Sequence, residues 1–291
     1  MADLSRPVKA SIDWNTIDLA AYNILIQLQP VEHFFGSKPD KIPPHLDPDF
    51  LTAPVPPPSP GNRTWKLSDS TRRLLYYIDY ATNSYSGFSE IESDIQFCAQ
   101  MILRVLKFRQ RYSLLRCRYE IEPFNVGGGA TSANTHICLQ HFTPDMSDSR
   151  ILLLVQTATQ TADGTVKGFS SRPEAQVISA AIAAFQFNNA GRAEKGIEKV
   201  ESMTFPAIVV TGTRPAFYKI PVTQALSDAV AEGQYPAVQT TVLKCKVAGP
   251  PGLWSGRPNE GMETPMVREE IIKYYEEFRK ISQGLWELLI V

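Results

Sequence analysis

Five consecutive apolar residues, Ile151-Leu152-Leu153-Leu154-Val155, narrow most what this chain can fold into. A strand that is apolar on both faces must be covered on both faces, so the run predicts a central strand in a sheet layered between helices. Its full extent reads as Arg150 to Thr159. The turn-like Thr143-Pro144-Asp145-Met146-Ser147-Asp148-Ser149 precedes it, and before that comes a second apolar stretch, His136 to Phe142. Together these spell a hairpin in the middle of the chain. With the turn centred between Met146 and Ser147, antiparallel register predicts His136 opposite Thr157, with Thr159 two residues further on the same face.

Around this hairpin the signals alternate between helix and strand. Ser68-Asp69-Ser70 caps a helix running through Tyr80. Ser89 and Glu92 have the spacing of a capping box, and Ile91, Ile95, Cys98, Met101, Ile102 and Leu106 follow helical periodicity behind it. Tyr112 to Ile121 reads as a strand closed by Gly127-Gly128-Gly129. After the hairpin, Pro173 to Phe187 is helical, with proline in its first turn. Ala207 to Gly212 and Phe217 to Val222 are strands. Thr223 caps a helix from Gln224 to Ala231 that ends at Gly233. Thr240 to Val247 is a further strand, and Pro250-Pro251-Gly252 opens an irregular stretch. Thr264-Pro265 opens a last helix to about Leu288, with Ile271, Tyr274, Tyr275, Phe278, Ile281 and Trp286 on its apolar side.

Residues 1–65 look different. Ile17 to Gln29 fits a short amphipathic helix, whereas Pro39 to Pro60 carries nine prolines and predicts an extended, helix-free segment. Two regions follow: an irregular, proline-rich N-terminal arm over 1–65, lying over the core or acting as a linker, and an α/β domain over 66–291. The start of the chain has no apolar run after basic residues, and no stretch of roughly 18 apolar residues occurs anywhere. Cys98, Cys117, Cys138 and Cys245 are far apart and lie among apolar or strand-like neighbours, the pattern of buried free thiols. An intracellular protein of cytoplasm or nucleus, with no membrane partner, is the expectation.

From Ser89 the element order is helix, three strands, helix, strand. That αβββαβ order resembles the core of the restriction-endonuclease-like, or PD-(D/E)XK, superfamily, a mixed central sheet flanked by helices. A narrower likeness rests on particular residues. Leu152-Leu153-Leu154-Val155-Gln156-Thr157-Ala158-Thr159 is similar to a Leu-Leu-Val-Gln-Glu-Asp-Lys segment in a large, uncharacterised family of mushroom-type fungal proteins, and Thr135-His136-Ile137-Cys138-Leu139 resembles that family's Thr-Asp-Val-Cys segment. Pro173-Glu174-Ala175-Gln176, Ala180 to Gln186, Gly212-Thr213, Phe217 to Thr223 and Glu260-Gly261-Met262 fit the same family, over about residues 85–285. The resemblance implies a cleft in which an Asp on one strand and a Glu-x-Lys on the next hold a divalent cation.

Here His136 stands for that Asp, Thr157 for the Glu and Thr159 for the Lys. A hard cation wants carboxylate oxygens, which an imidazole and two hydroxyls do not supply, and the lysine that would steady an attacking hydroxide is missing. Glu92, or its neighbour Glu90, occupies the helix where the superfamily often keeps an acid, and Gln176 matches a position that helps shape the cleft. Gln156 points away from Thr157 and is expected to meet a covering helix. The vestigial or ligand-binding set is therefore Glu92, His136, Thr157, Thr159 and Gln176, with His136 the one candidate for catalysis and no metal expected.

Other chemistries find less support. His141 lies an odd number of residues from His136 and so on the other face of the strand. Cys138 shares the face of His136. Gly127-Gly128-Gly129 lacks the Lys-Ser/Thr of a phosphate loop and reads as a flexible hairpin close enough to the cleft to gate it. No cofactor motif is present, and no cofactor is expected. Arg104, Lys107, Arg109, Arg111, Arg116 and Arg118 cluster in sequence as a solvated helix end and strand edge, or as a residual phosphate-binding strip. Net charge is −1, so nucleic acid is weakly supported as a partner, and a small molecule or a protein is left open. The expectation is a catalytically inactive nuclease-like protein acting as a binding or interaction module. Two rivals are a metal-independent enzyme using His136 as acid/base on a small molecule, and a weak metal-dependent nuclease drawing on Glu92, Glu120 or Glu122.

Overall fold

The computed structural model describes residues 6–57, 67–83, 88–160, 166–167, 172–247 and 259–287. Of the features just listed, the side chains of Ser89 and Glu90, Pro58 and Pro60, and Pro250-Pro251-Gly252 lie outside the described residues.

The central strand predicted from the five-residue apolar run is β4 (Ser149–Gln160), buried from Arg150 to Thr159. With β2 (Ser113–Val126) and β3 (Gly129–Phe142) it forms an antiparallel meander. The Ala-rich helix α5 (Pro173–Glu194) crosses over to β6 (Ser202–Thr211), which lies parallel to β4 on its other side. Next come β7 (Arg214–Thr223) and β8 (Thr240–Lys246), each antiparallel to its predecessor. A short strand, β5 (Val166–Lys167), pairs with the end of β4 at Thr159 and Gln160. The protein is thus α/β, with a mixed sheet flanked by helices.

Helix α5 packs on β4, as does α4 (Phe88–Val105), which also packs on α3 (Asp69–Asn83). Helix α5 is apolar on nearly all sides because it is wrapped on nearly all sides, by the sheet, by the N-terminal segment and by α6 (Gln224–Glu232). The last helix, α7 (Pro265–Trp286), packs against β6 and β7 and buries Ile271, Tyr274, Tyr275, Phe278 and Trp286. Thr223 caps α6 by accepting from the Leu226 N–H, and Gly233 ends it in the left-handed conformation, as expected. Helix α4 starts at Phe88, one residue before Ser89, so Ser89 is not its N-cap. No helix among the described residues is long and apolar enough to cross a membrane.

The N-terminal segment corrects three expectations. Ile17 to Gln29 is not one helix. Asn15 caps a short α1 (Thr16–Ala21) in a capping box with Asp18, Asn23 turns the chain at a φ of 51°, and Ile24–Leu28 becomes β1, parallel to β8. β-branched and apolar residues after the turn favour the strand once β8 offers an open edge. The described part of the 1–65 segment is also no mere overlay, because Trp14, Phe34 and Phe50 are fully buried and share the main core with β4. Between the prolines, Pro48–Phe50 forms one 3-10 turn in a stretch expected to be free of helix.

The sheet order is β1-β8-β7-β6-β4-β3-β2, which makes β1 and β2 its edges. The glycine turn between β2 and β3 is docked rather than free. Gly127 and Gly128 donate their N–H groups to Val230 O and Ala231 O, at 2.9 and 2.7 Å, and a Cβ on Gly127 would sit 2.4 Å from Arg6 O. A turn held by α6 on one side and by the N-terminal segment on the other cannot gate a cleft.

Candidate functional site

Strand β4 carries a bulge, and the bulge sets the geometry of the site. Near the turn Phe142 pairs with Ser149 and Gln140 with Ile151; beyond it Leu139 pairs with Leu153 and Ile137 with Val155. Leu152 is the extra residue. Its carbonyl accepts from Trp286 Nε1–H at 2.8 Å, while Asn188 accepts from the Ile151 N–H at 2.8 Å and donates to the Ile151 carbonyl at 3.0 Å. Two buried side chains thus replace what the ladder lost.

This register corrects the expected pairing. Continued one step past Ile137 and Val155, it sets Gln156 across from His136, not Thr157. Yet His136 and Thr157 do meet, because the ladder stops there and the imidazole enters the gap. The Thr157 N–H donates to His136 Nδ1 at 2.9 Å, and Thr157 Oγ1 lies 2.8 Å from the same nitrogen. A ring nitrogen that accepts a backbone N–H carries no proton, so the imidazole is held as its Nε2–H tautomer. Gln156 does not reach for a covering helix. Its amide bridges the opened strands, donating to Asn134 O at 2.9 Å and accepting from the His136 N–H at 3.4 Å.

The ladder on the other side of His136 is interrupted too. Cys117 pairs with Ile137 and Tyr119 with Thr135, so Arg118 faces His136, but no bridge joins them and Arg118 sits at a φ of 50°. For a non-glycine residue inside a strand that conformation is strained. The freed His136 carbonyl accepts from Gln96 Nε2 at 3.0 Å. Gln96 projects from α4, one turn after Glu92, so partly buried Glu92 lies on the helix face turned toward the site. Gln100, one turn further, donates to Cys117 Sγ at 2.6 Å.

Burial and charge both disfavour a cationic imidazole. Burial, seconded by the Arg118 guanidinium, pulls the His136 pKa down to about 4. Thr157 and Thr159 are both buried, and Thr159 pairs with Lys167 of β5. Burial pushes the Cys138 thiol up to about 12, which removes it as a nucleophile near neutral pH.

Gln176 belongs to a different neighbourhood from the one expected. It is buried and donates to Ile12 O at 2.9 Å, while Ser11 Oγ accepts from the Asn134 N–H at 2.8 Å. The segment around Ser11 therefore joins α5 to β3 and, through Asn134, to Gln156. Of the expected set, the structure brings His136 and Thr157 into contact, lines Glu92 up with Gln96, and ties Gln176 to the N-terminal segment.

Sequence reasoning missed Gln96, Gln156 as a bridge, Arg118 and Ser11. Only the four-residue spacing of Glu92, Gln96 and Gln100 carried a sign of this polar helix face. No group of three or more His, Cys, Asp and Glu side chains among the described residues could hold a metal ion. Glu120 and Glu122 are exposed on the edge strand β2. No protein-family model matches the chain, and no curated protein matches it.

Proposed function

We propose that the chain is a catalytically inactive relative of the nuclease-like proteins and works as a binding or interaction module. The observation that carries this reading is the closure of the site on itself. Where the resemblance implies an Asp and a Glu sharing a cation, His136 Nδ1 accepts from the Thr157 N–H, with the Thr157 hydroxyl 2.8 Å from the same nitrogen. The run of α4, the β2-β3-β4 meander, α5 and parallel β6 agrees with the αβββαβ order of those proteins.

A reassigned acid/base histidine fits less well. A base works best with a pKa near the operating pH, and the His136 ring is held near 4 with one nitrogen already committed. The strip from Arg104 to Arg118 supports nucleic acid only weakly, since charged side chains on the edge strand β2 also serve to keep other strands away.

Titration calorimetry with Mg²⁺ and Mn²⁺, beside cleavage assays on single- and double-stranded DNA, tests the proposal. No binding heat and no cleavage are expected. Metal-dependent cleavage that Glu92→Gln abolishes would overturn it. The combined variant His136→Asp, Thr157→Glu, Thr159→Lys is expected to gain metal binding; if it stays folded and gains none, the assignment of these positions to the cation site is wrong.

A further inference from the structure

The two edges of the sheet are built in opposite ways. Strand β2 has exposed Arg116, Arg118, Glu120 and Glu122 and a register irregularity between Ile121 and Phe124, devices that discourage another strand from adding on. Strand β1 has none of these. It reads Ile24-Leu25-Ile26-Gln27-Leu28, without charge, proline or register shift, and Leu28 is 62% exposed.

The ladder to β8 fixes which backbone groups of β1 are free. Thr240 N–H donates to Asn23 O at 2.9 Å, and Gln29 N–H donates to Lys244 O at 2.8 Å. In a parallel pair alternate residues bond the same neighbour, so Leu25 and Gln27 turn their N–H and C=O groups to β8. The N–H and C=O groups of Ile24, Ile26 and Leu28 then point outward. Among the described residues β1 pairs with β8 alone.

We propose that this edge pairs with β1 of a second copy, antiparallel, about a two-fold axis at Ile26. That register sets Ile26 against its own counterpart and Ile24 against Leu28, and every outward N–H and C=O of the three residues gains a partner. It also sets Leu25 against Gln27. An isologous contact brings like residues together, so a charged edge would repel itself. From Asn23 to Gln29 there is no charge to do so. Asn23 Nδ2 donates to Pro236 O at 3.1 Å, which brings the loop carrying exposed Tyr235 and Val238 beside the start of the strand and adds apolar surface there. A five-residue strand pair by itself falls short of the roughly 1,000 Å² typical of stable interfaces, so the dimer belongs to the weak, transient class and forms only at high protein concentration.

Analytical ultracentrifugation of the full chain from low micromolar to ~200 μM, with amide hydrogen exchange on the same samples, tests this by mass action. The expected result is a monomer–dimer equilibrium in which the Ile24, Ile26 and Leu28 amides gain protection with concentration, while those of Leu25 and Gln27 are protected throughout. Ile26→Pro removes an N–H that the β8 ladder does not use, and Leu28→Lys adds a charge at an exposed position. Each should weaken dimerisation at least tenfold. If Ile26→Pro disturbs the fold, Leu28→Lys and the alternating protection decide. A monomer over the whole range overturns the proposal, as does a dimer that Leu28→Lys leaves intact. Protection of the outward amides only when a different protein is added would replace the second copy with that protein.

Discussion

Replacing His136 by asparagine gives a sharp test of the site's electrostatics. The folded protein holds this imidazole neutral: Thr157 donates to Nδ1, and burial with the nearby Arg118 charge lowers the pKa from 6.5 to about 4. In the unfolded chain the ring protonates below about 6.5. Between these values the unfolded state binds more protons, so the fold loses stability as pH falls from 6.5 toward 4. The loss is complete near 4, where both states carry the charge. From pH 7 to 4.5 the two titrations differ by about 2 kcal/mol, with the full shift as the ceiling. Asparagine keeps an oxygen that can accept from Thr157 and has no titration. Urea unfolding followed by tryptophan fluorescence, with Trp14 and Trp286 fully buried as reporters, measures both proteins at both pH values. Carboxylates that titrate in the same window act alike in both chains and cancel in the difference. The wild type should lose about 2 kcal/mol more than His136→Asn on acidification. Equal losses, or an NMR titration of the His136 ring with a midpoint near 6.5, would refute the buried neutral imidazole.

Two further outcomes follow from the same geometry. Asn188→Ala leaves the Ile151 N–H and carbonyl buried without partners at the β4 bulge, so urea unfolding should show a loss of about 2–4 kcal/mol; a loss under 1 kcal/mol would mean that the bulge satisfies itself some other way. Thiol titration of the native protein should modify Cys117 alone, since Cys98, Cys138 and Cys245 are buried, and Cys117→Ser should abolish the native-state reaction; rapid reaction at a second thiol would contradict the packing.

Much of the fold was legible because it is written in patterns of one dominant period. The Ile151–Val155 run placed a central strand, Thr223 and Gly233 bounded a helix, and Thr264-Pro265 opened another, as the structure has them. Register was not legible, because a bulge costs no visible residue type: Leu152 is one leucine among three. What makes it the extra residue is Asn188 and Trp286, brought to it from helices far along the chain. The strand at Ile24–Leu28 failed for a related reason. Its five residues suit either state, and only the open edge of β8, more than 200 residues later, decides between them. Within the site, the contact of Thr157 with the His136 ring, made through the ring nitrogen rather than by ladder pairing, could not be read from the sequence.

The way those positions are partnered bears on what became of the site. Under the proposed reading, a cleft that had only lost its ligands would leave buried donors and acceptors stranded, each costing about 1–3 kcal/mol. The structure instead pairs the groups around the gap. His136 Nδ1 accepts from Thr157, the His136 carbonyl accepts from Gln96, and Gln156 spans Asn134 and the His136 N–H. Asn134 in turn donates to Ser11, from a segment that also takes Gln176 at Ile12. The N-terminal segment is therefore part of the same polar network as His136 and Thr157. Glutamines and an imidazole fill the space between the opened strands, and the strained backbone at Arg118 marks where the two ladders do not close over it.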